Sequence, residues 1–113
     1  MRWFLHAKIH QATVTEANIK YVGSITIDQE LLDKCGLQAG EKVLVVSNMT
    51  GIRLETYVIV GERMSGIICM NGASAHLIKK GEELIIMGFE LANETIVAKN
   101  ILVDRNNIFI KYL

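Results

Sequence analysis

Residues 21–46 read YVGSITIDQELLDKCGLQAGEKVLVV, and the order of residue types along them decides the fold class. Ser24-Ile25-Thr26-Ile27 is a short run rich in β-branched residues, which fit a pleated, half-buried strand. Asp28 then offers a carboxylate to the free N–H groups of a helix start. The helix it opens carries Leu31, Leu32 and Cys35. Gly36 ends it, because glycine takes up the left-handed conformation of a helix terminus without a Cβ penalty. By Glu41 the β pattern returns, in EKVLVV.

Working outward, the same residue types crowd into ATVT, LETYVIV, GIICM, ELIIMGF, NILV and IFIKYL, separated by glycine or asparagine. This is an all-β pattern, with a second short helical turn expected around Ala73 to Lys79. Many short strands in a chain of 113 residues need closure to hide their edges, so the expectation is one domain, 1–113, built as a small barrel. Half of the residues are hydrophobic and 21% are charged, enough apolar surface to offset the ordering entropy of the chain. Twelve basic and twelve acidic side chains cancel. With no block of like charge, nucleic acid and membrane surfaces are not expected partners, and a small molecule or a protein is. The apolar runs are short, the longest being pieces such as Leu84-Ile85-Ile86-Met87, and MRWFLHAKIH has no sustained apolar segment. A soluble, cytoplasmic protein is therefore expected. Cys35 and Cys69 lie in apolar surroundings and read as reduced core thiols, and no spacing suggests a metal site.

Gly23-Ser24 interrupts the β run at its start, and alone it is a common turn dipeptide. Its surroundings carry more. AKIHQATVTEAN precedes it, GIRLETYVIVGER follows, and then comes SGIICMNGASAHLIKKGEELIIMGF. Lys-Ile-His, Tyr-x-Gly-Ser, Arg-x-x-Thr-Tyr and Asn-Gly-Ala, in this order from Lys8 to Phe89, resemble the pyruvoyl-dependent aspartate 1-decarboxylases. The resemblance implies a double-psi β-barrel with one or two short helices. It also implies a homotetramer with active sites between subunits, and conversion of L-aspartate to β-alanine and carbon dioxide for pantothenate synthesis. In that family the Gly-Ser bond cleaves itself. Ser24 would attack the Gly23 carbonyl, pass through an ester and eliminate, leaving a pyruvoyl cofactor that works through a Schiff base.

The chemistry asks for such a device. A hydroxyl that attacks its own backbone needs an exposed, oriented peptide bond, and glycine at position 23 is expected to reach dihedrals that a side chain would forbid. Loss of carbon dioxide leaves an electron pair at Cα, which a carbonyl cofactor can accept and an ordinary side chain cannot.

Each companion residue also has a structural reading. Lys8 and His10, two apart on a strand, share a face that would ordinarily be solvated; the resemblance sets Lys8 near the substrate carboxylate, with His10 as a pocket residue. Arg53, Glu55 and Tyr57 share one face of another strand, where Arg53 could pair with a carboxylate across the sheet. The resemblance gives Arg53 the substrate carboxylate, which suits its planar fork. It assigns Thr56, on the opposite face, to hydrogen bonding the Gly23 carbonyl during cleavage, and Tyr57 to returning a proton after decarboxylation. Asn71-Gly72-Ala73 reads locally as a tight turn; the resemblance makes it part of the substrate site, and Tyr21 lines the same pocket. His76 invites a triad with Ser24, but no acidic partner is placed by spacing. Two other readings stay open on the residues: an uncleaved barrel that binds a ligand or partner, and a small-barrel transcription regulator, against which the zero net charge weighs.

Overall fold

The computed structural model describes residues 1–113. Along the chain run β1 (Arg2–Thr13), β2 (Glu16–Asn18), β3 (Ser24–Asp28), α1 (Gln29–Cys35), β4 (Lys42–Ser47), β5 (Arg53–Gly61), β6 (Ile68–Asn71), a 3-10 turn (Gly72–His76), β7 (Glu83–Ala92), β8 (Lys99–Val103) and β9 (Phe109–Tyr112). The mainly-β architecture with short helices is the one expected.

The helix forms as its ends dictate. Asp28 Oδ1 accepts from the Glu30 N–H at 2.9 Å, and Gly36, at φ 84°, closes the last turn by donating to the Leu32 carbonyl. Leu31, Leu32 and Cys35 are buried. Asp28 has a second task that its sequence position does not reveal. Its carboxylate also accepts from the Met64 and Gly66 N–H groups, both at 2.9 Å, pinning the connection between β5 and β6 under the helix. The expected turn at Ala73–Lys79 is shorter and begins earlier, at Gly72. Beyond it the Glu82 carboxylate accepts from the Lys79 N–H at 2.6 Å, holding the connection that leads to β7.

Neighbouring strands follow the order β2-β6-β3-β5-β4-β7-β1-β8-β9. β1/β8, β2/β6 and β3/β5 are parallel; the remaining pairs are antiparallel. No ladder joins the two ends of this order. The curl closes instead through the chain, because β1 and β2 are separated only by Val14 and Thr15. Val14 N–H still donates toward the β7 side, to the Glu82 carbonyl, while Thr15 N–H has moved to the Ile68 carbonyl of β6. One continuous run thus borders β7 with its first part and β6 with its second, while β9, paired only with β8, remains an exposed edge strand.

β1 is longer than the ATVT run suggests, because β7 and β8 hold it from both sides. Register shifts near His6 and Gln11 bend it, and Gln11 takes φ 67°, as bulges allow. Alternate residues point inward: Ile9, Ile25, Ile27, Val43, Val45, Val58, Ile68, Met70, Leu84 and Ile86 form the core with the apolar face of α1. Both cysteines are buried and unpaired, and no helix is long and apolar enough to cross a membrane.

Candidate active site

The antiparallel register of β3 and β6 sets Ser24 opposite Asn71 and Thr26 opposite Cys69. Because side chains alternate along a strand, these four share one face. The Asn71 Nδ2 donates to Ser24 Oγ at 2.8 Å and to Thr26 Oγ1 at 2.9 Å. At the other end of the same amide, Cys69 Sγ lies 3.1 Å from Oδ1 and donates to it. Ser24 and Asn71 are buried, whereas Tyr21, Val22 and Gly23 just before them are exposed. The Gly23–Ser24 bond therefore joins a solvent-facing loop to a serine whose hydroxyl is held by an amide. That hydroxyl turns toward the Val22 carbonyl, 3.5 Å away.

The backbone freedom expected of Gly23 is not what the structure uses. Gly23 does not take a left-handed φ, and a Cβ there would meet only the Asn71 carbonyl, at 3.9 Å. The demand falls on Gly72, at φ 69°, where a Cβ would sit 2.7 Å from Gly23 Cα, 2.8 Å from Gly23 N and 2.9 Å from the Tyr21 carbonyl. Two glycine backbones pack closely, so the turn after β6 braces the Gly23 backbone just before the bond between residues 23 and 24. Ser74 Oγ steadies that turn by donating to the Asn71 carbonyl at 3.0 Å, and Ala73 stands exposed at its outer edge.

β5 runs parallel to β3 with Ile25 level with Val58. Continued two residues back, this register sets Thr56 level with Gly23 and Tyr57 level with Ser24. Tyr57 is 40% exposed. Glu55, two residues along the same face of β5, is engaged elsewhere, pairing with Lys42 at 2.6 Å. Arg53 is exposed and in no ion pair, so its guanidinium is free for a ligand.

Lys8 and His10 lie on β1. In the strand order β5, β4 and β7 stand between β1 and β3, and no hydrogen bond joins either residue to Ser24. Neither shares a hydrogen bond with Thr26, Cys69 or Asn71 either. Both are half-buried, and His10 Nδ1 has no hydrogen-bond partner. His76 is exposed and is not bonded to Ser24, in keeping with the rejected triad. Cys69 and Thr26 escaped the sequence reading; the available signal was their two-residue spacing from Asn71 and Ser24. Burial, and then the nearby Glu16 carboxylate, raise the Cys69 pKa and keep the thiol protonated.

Residues 1–110 match the family model described as aspartate decarboxylase. The chain is 57% identical over 93 residues, 82% of its length and 73% of the relative's, to an aspartate 1-decarboxylase of Bacillus pumilus. It is 52% identical over 110 residues, 94% of the chain and 87% of the relative, to an aspartate 1-decarboxylase of Neisseria meningitidis serogroup C. Identity to an aspartate 1-decarboxylase of Bacillus cereus is 49% over 116 residues, 99% of the chain and 91% of the relative.

Proposed function

This chain belongs to the aspartate decarboxylase family, and from that premise we propose that it cuts its own Gly23–Ser24 bond and then converts L-aspartate to β-alanine and carbon dioxide, the step that feeds pantothenate synthesis. The observation that carries the proposal is the buried Ser24 hydroxyl, held by Asn71 beside an exposed peptide bond that Gly72 braces.

Cleavage is chemistry of the chain itself. Ser24 Oγ bonds to the Gly23 carbonyl carbon, its proton passes to the Ser24 nitrogen, and the C–N bond breaks to give an ester. The Thr56 hydroxyl, level with Gly23, donates to the carbonyl oxygen as negative charge grows on it. Loss of the Ser24 α-proton with departure of the Gly23 carboxylate breaks the ester Cβ–O bond. Water then replaces the nitrogen, which leaves as ammonia. The surroundings fit the pyruvoyl group this would produce: the Asn71 amide presents N–H donors to an oxygen-bearing group. When formed, that group supplies a carbonyl able to accept the electron pair released with carbon dioxide.

The remaining residues bind, orient and move a proton. Arg53, free of ion pairs, takes a substrate carboxylate with its fork. Asn71, Gly72 and Ala73 line the substrate's path. Tyr57, level with Ser24, returns a proton to the substrate Cα after carbon dioxide leaves. Tyr21 closes the solvent side of the pocket. Lys8, which shares no hydrogen bond with the Ser24 of its own chain, binds the other carboxylate from a second copy, with His10 beside it. This arrangement suits a homotetramer with active sites between subunits. Free buried thiols suit a cytoplasmic enzyme.

Intact mass before and after warm incubation tests the reading. Fragments 1–23 and 24–113, the larger one blocked to Edman sequencing, are expected together with β-alanine formation. Ser24→Ala should fold, stay whole and be inactive. A wild-type chain that stays whole and makes no β-alanine would instead indicate a binding barrel.

A further inference from the structure

We propose that Cys69 and Thr26 are positioning residues for self-cleavage, holding the Asn71 amide in the one orientation that turns an N–H on to the Ser24 hydroxyl oxygen. The inference rests on the Gly23–Ser24 cleavage argued above and adds two residues to it.

An asparagine amide has a donor end and an acceptor end, and a half-turn exchanges them. In the observed orientation the donor end serves two hydroxyl oxygens, Ser24 Oγ at 2.8 Å and Thr26 Oγ1 at 2.9 Å. The acceptor end faces the Cys69 thiol, at 3.1 Å. A thiol donates weakly and accepts poorly. Turned over, the amide would press its NH₂ against sulfur and draw the Ser24 proton into a hydrogen bond with Oδ1. The serine oxygen would then be a donor tied to Asn71 rather than a nucleophile. In the observed state Oγ receives a hydrogen bond, which stabilises the negative charge that gathers there as its proton departs.

Burial makes the choice consequential. Ser24, Asn71 and Cys69 are 0%, 3% and 5% exposed, so no bulk water substitutes for a missing partner. The thiol stays protonated in this setting, pushed up by burial and by the Glu16 carboxylate opposite it on β2. Thr26 contributes the second acceptor. With it the donor end has a full complement of partners, and without it one N–H is left unpaired.

The test follows conversion of the freshly synthesised full chain to fragments 1–23 and 24–113 by intact mass. Cys69→Ala should slow conversion about tenfold, and Cys69→Ser, which keeps a donor toward Oδ1 although its oxygen accepts more readily than sulfur, should restore the rate in part. Thr26→Val should likewise slow it about tenfold and Thr26→Ser restore it; this near-isosteric pair remains informative should Cys69→Ala not fold. Glu16→Gln should cleave as wild type does. The proposal is overturned if Cys69→Ala and Thr26→Val cleave at the wild-type rate, or if Cys69→Ser is as slow as Cys69→Ala at equal Tm. A Glu16→Gln chain as slow as Cys69→Ala would also overturn it, by making Glu16 the thiol's partner. A wild-type chain that never cleaves would refute the parent reading instead, before any variant is compared.

Discussion

Replacing Gly72 by alanine should separate backbone strain from backbone contact at the cleavage site. At φ 69° an alanine adopts the left-handed region, which costs about 1–2 kcal/mol and should lower Tm by about 5–10 °C. The added Cβ would also stand 2.7 Å from Gly23 Cα, while ordinary contact begins at 3.4 Å. Relief needs a shift of about 0.7 Å in the Gly23 or Gly72 backbone, and a misplacement near 1 Å can cost about a hundredfold in rate. Cleavage of Gly72→Ala should therefore be slower than wild type by about 10- to 100-fold. Gly81→Ala is the control. It carries the same kind of strain, at φ 91°, yet a Cβ there meets nothing within 4 Å, so its Tm should fall while its cleavage does not change. The assay is the fragment mass over time at a temperature where both variants are folded. Cleavage of Gly72→Ala with a wild-type half-life would refute the bracing role. Equal slowing in Gly81→Ala would make strain, and not contact, the cause.

Neighbours on β5 should divide the two reactions between them. Thr56→Val should impair cleavage, whereas Tyr57→Phe should cleave normally and make β-alanine about a hundredfold more slowly per cleaved chain; equal β-alanine yields would exclude Tyr57 as the proton donor. Asp28→Asn replaces a carboxylate that accepts three backbone N–H groups with an amide having one acceptor oxygen. It should lower stability by about 2–4 kcal/mol, read as a reduced urea midpoint at unchanged m-value. Burial raises the Cys35 thiol from 9.0 to about 11. A folded-state value above the unfolded one means that its stabilisation is whole below pH 9 and is lost as pH rises through 11. The stability difference between wild type and Cys35→Ala should narrow over that window, and a difference independent of pH would show that Cys35 titrates normally.

Much of this molecule is written locally. Asp28 and Gly36 bound α1 because each acts on groups within a few residues of itself. The β-branched runs became strands because alternation needs only near neighbours. The motif around Gly23-Ser24 was legible as chemistry because its residues keep their order along the chain, whatever the fold does with them.

What the sequence determined by itself, then, is the class of fold, the two ends of the helix and the identity of the serine at the centre. Pairing over long separations was decided only by the tertiary structure. Asn71 meets Ser24 across 47 residues, Asp28 holds Met64 and Gly66, and buried Asn107 clamps the Thr13 and Gly66 backbones. The glycine requirement fell on Gly72 rather than Gly23 for the same reason. A clash is a property of two backbones brought together by register, and register is fixed by how the whole core packs, which no single stretch of sequence contains.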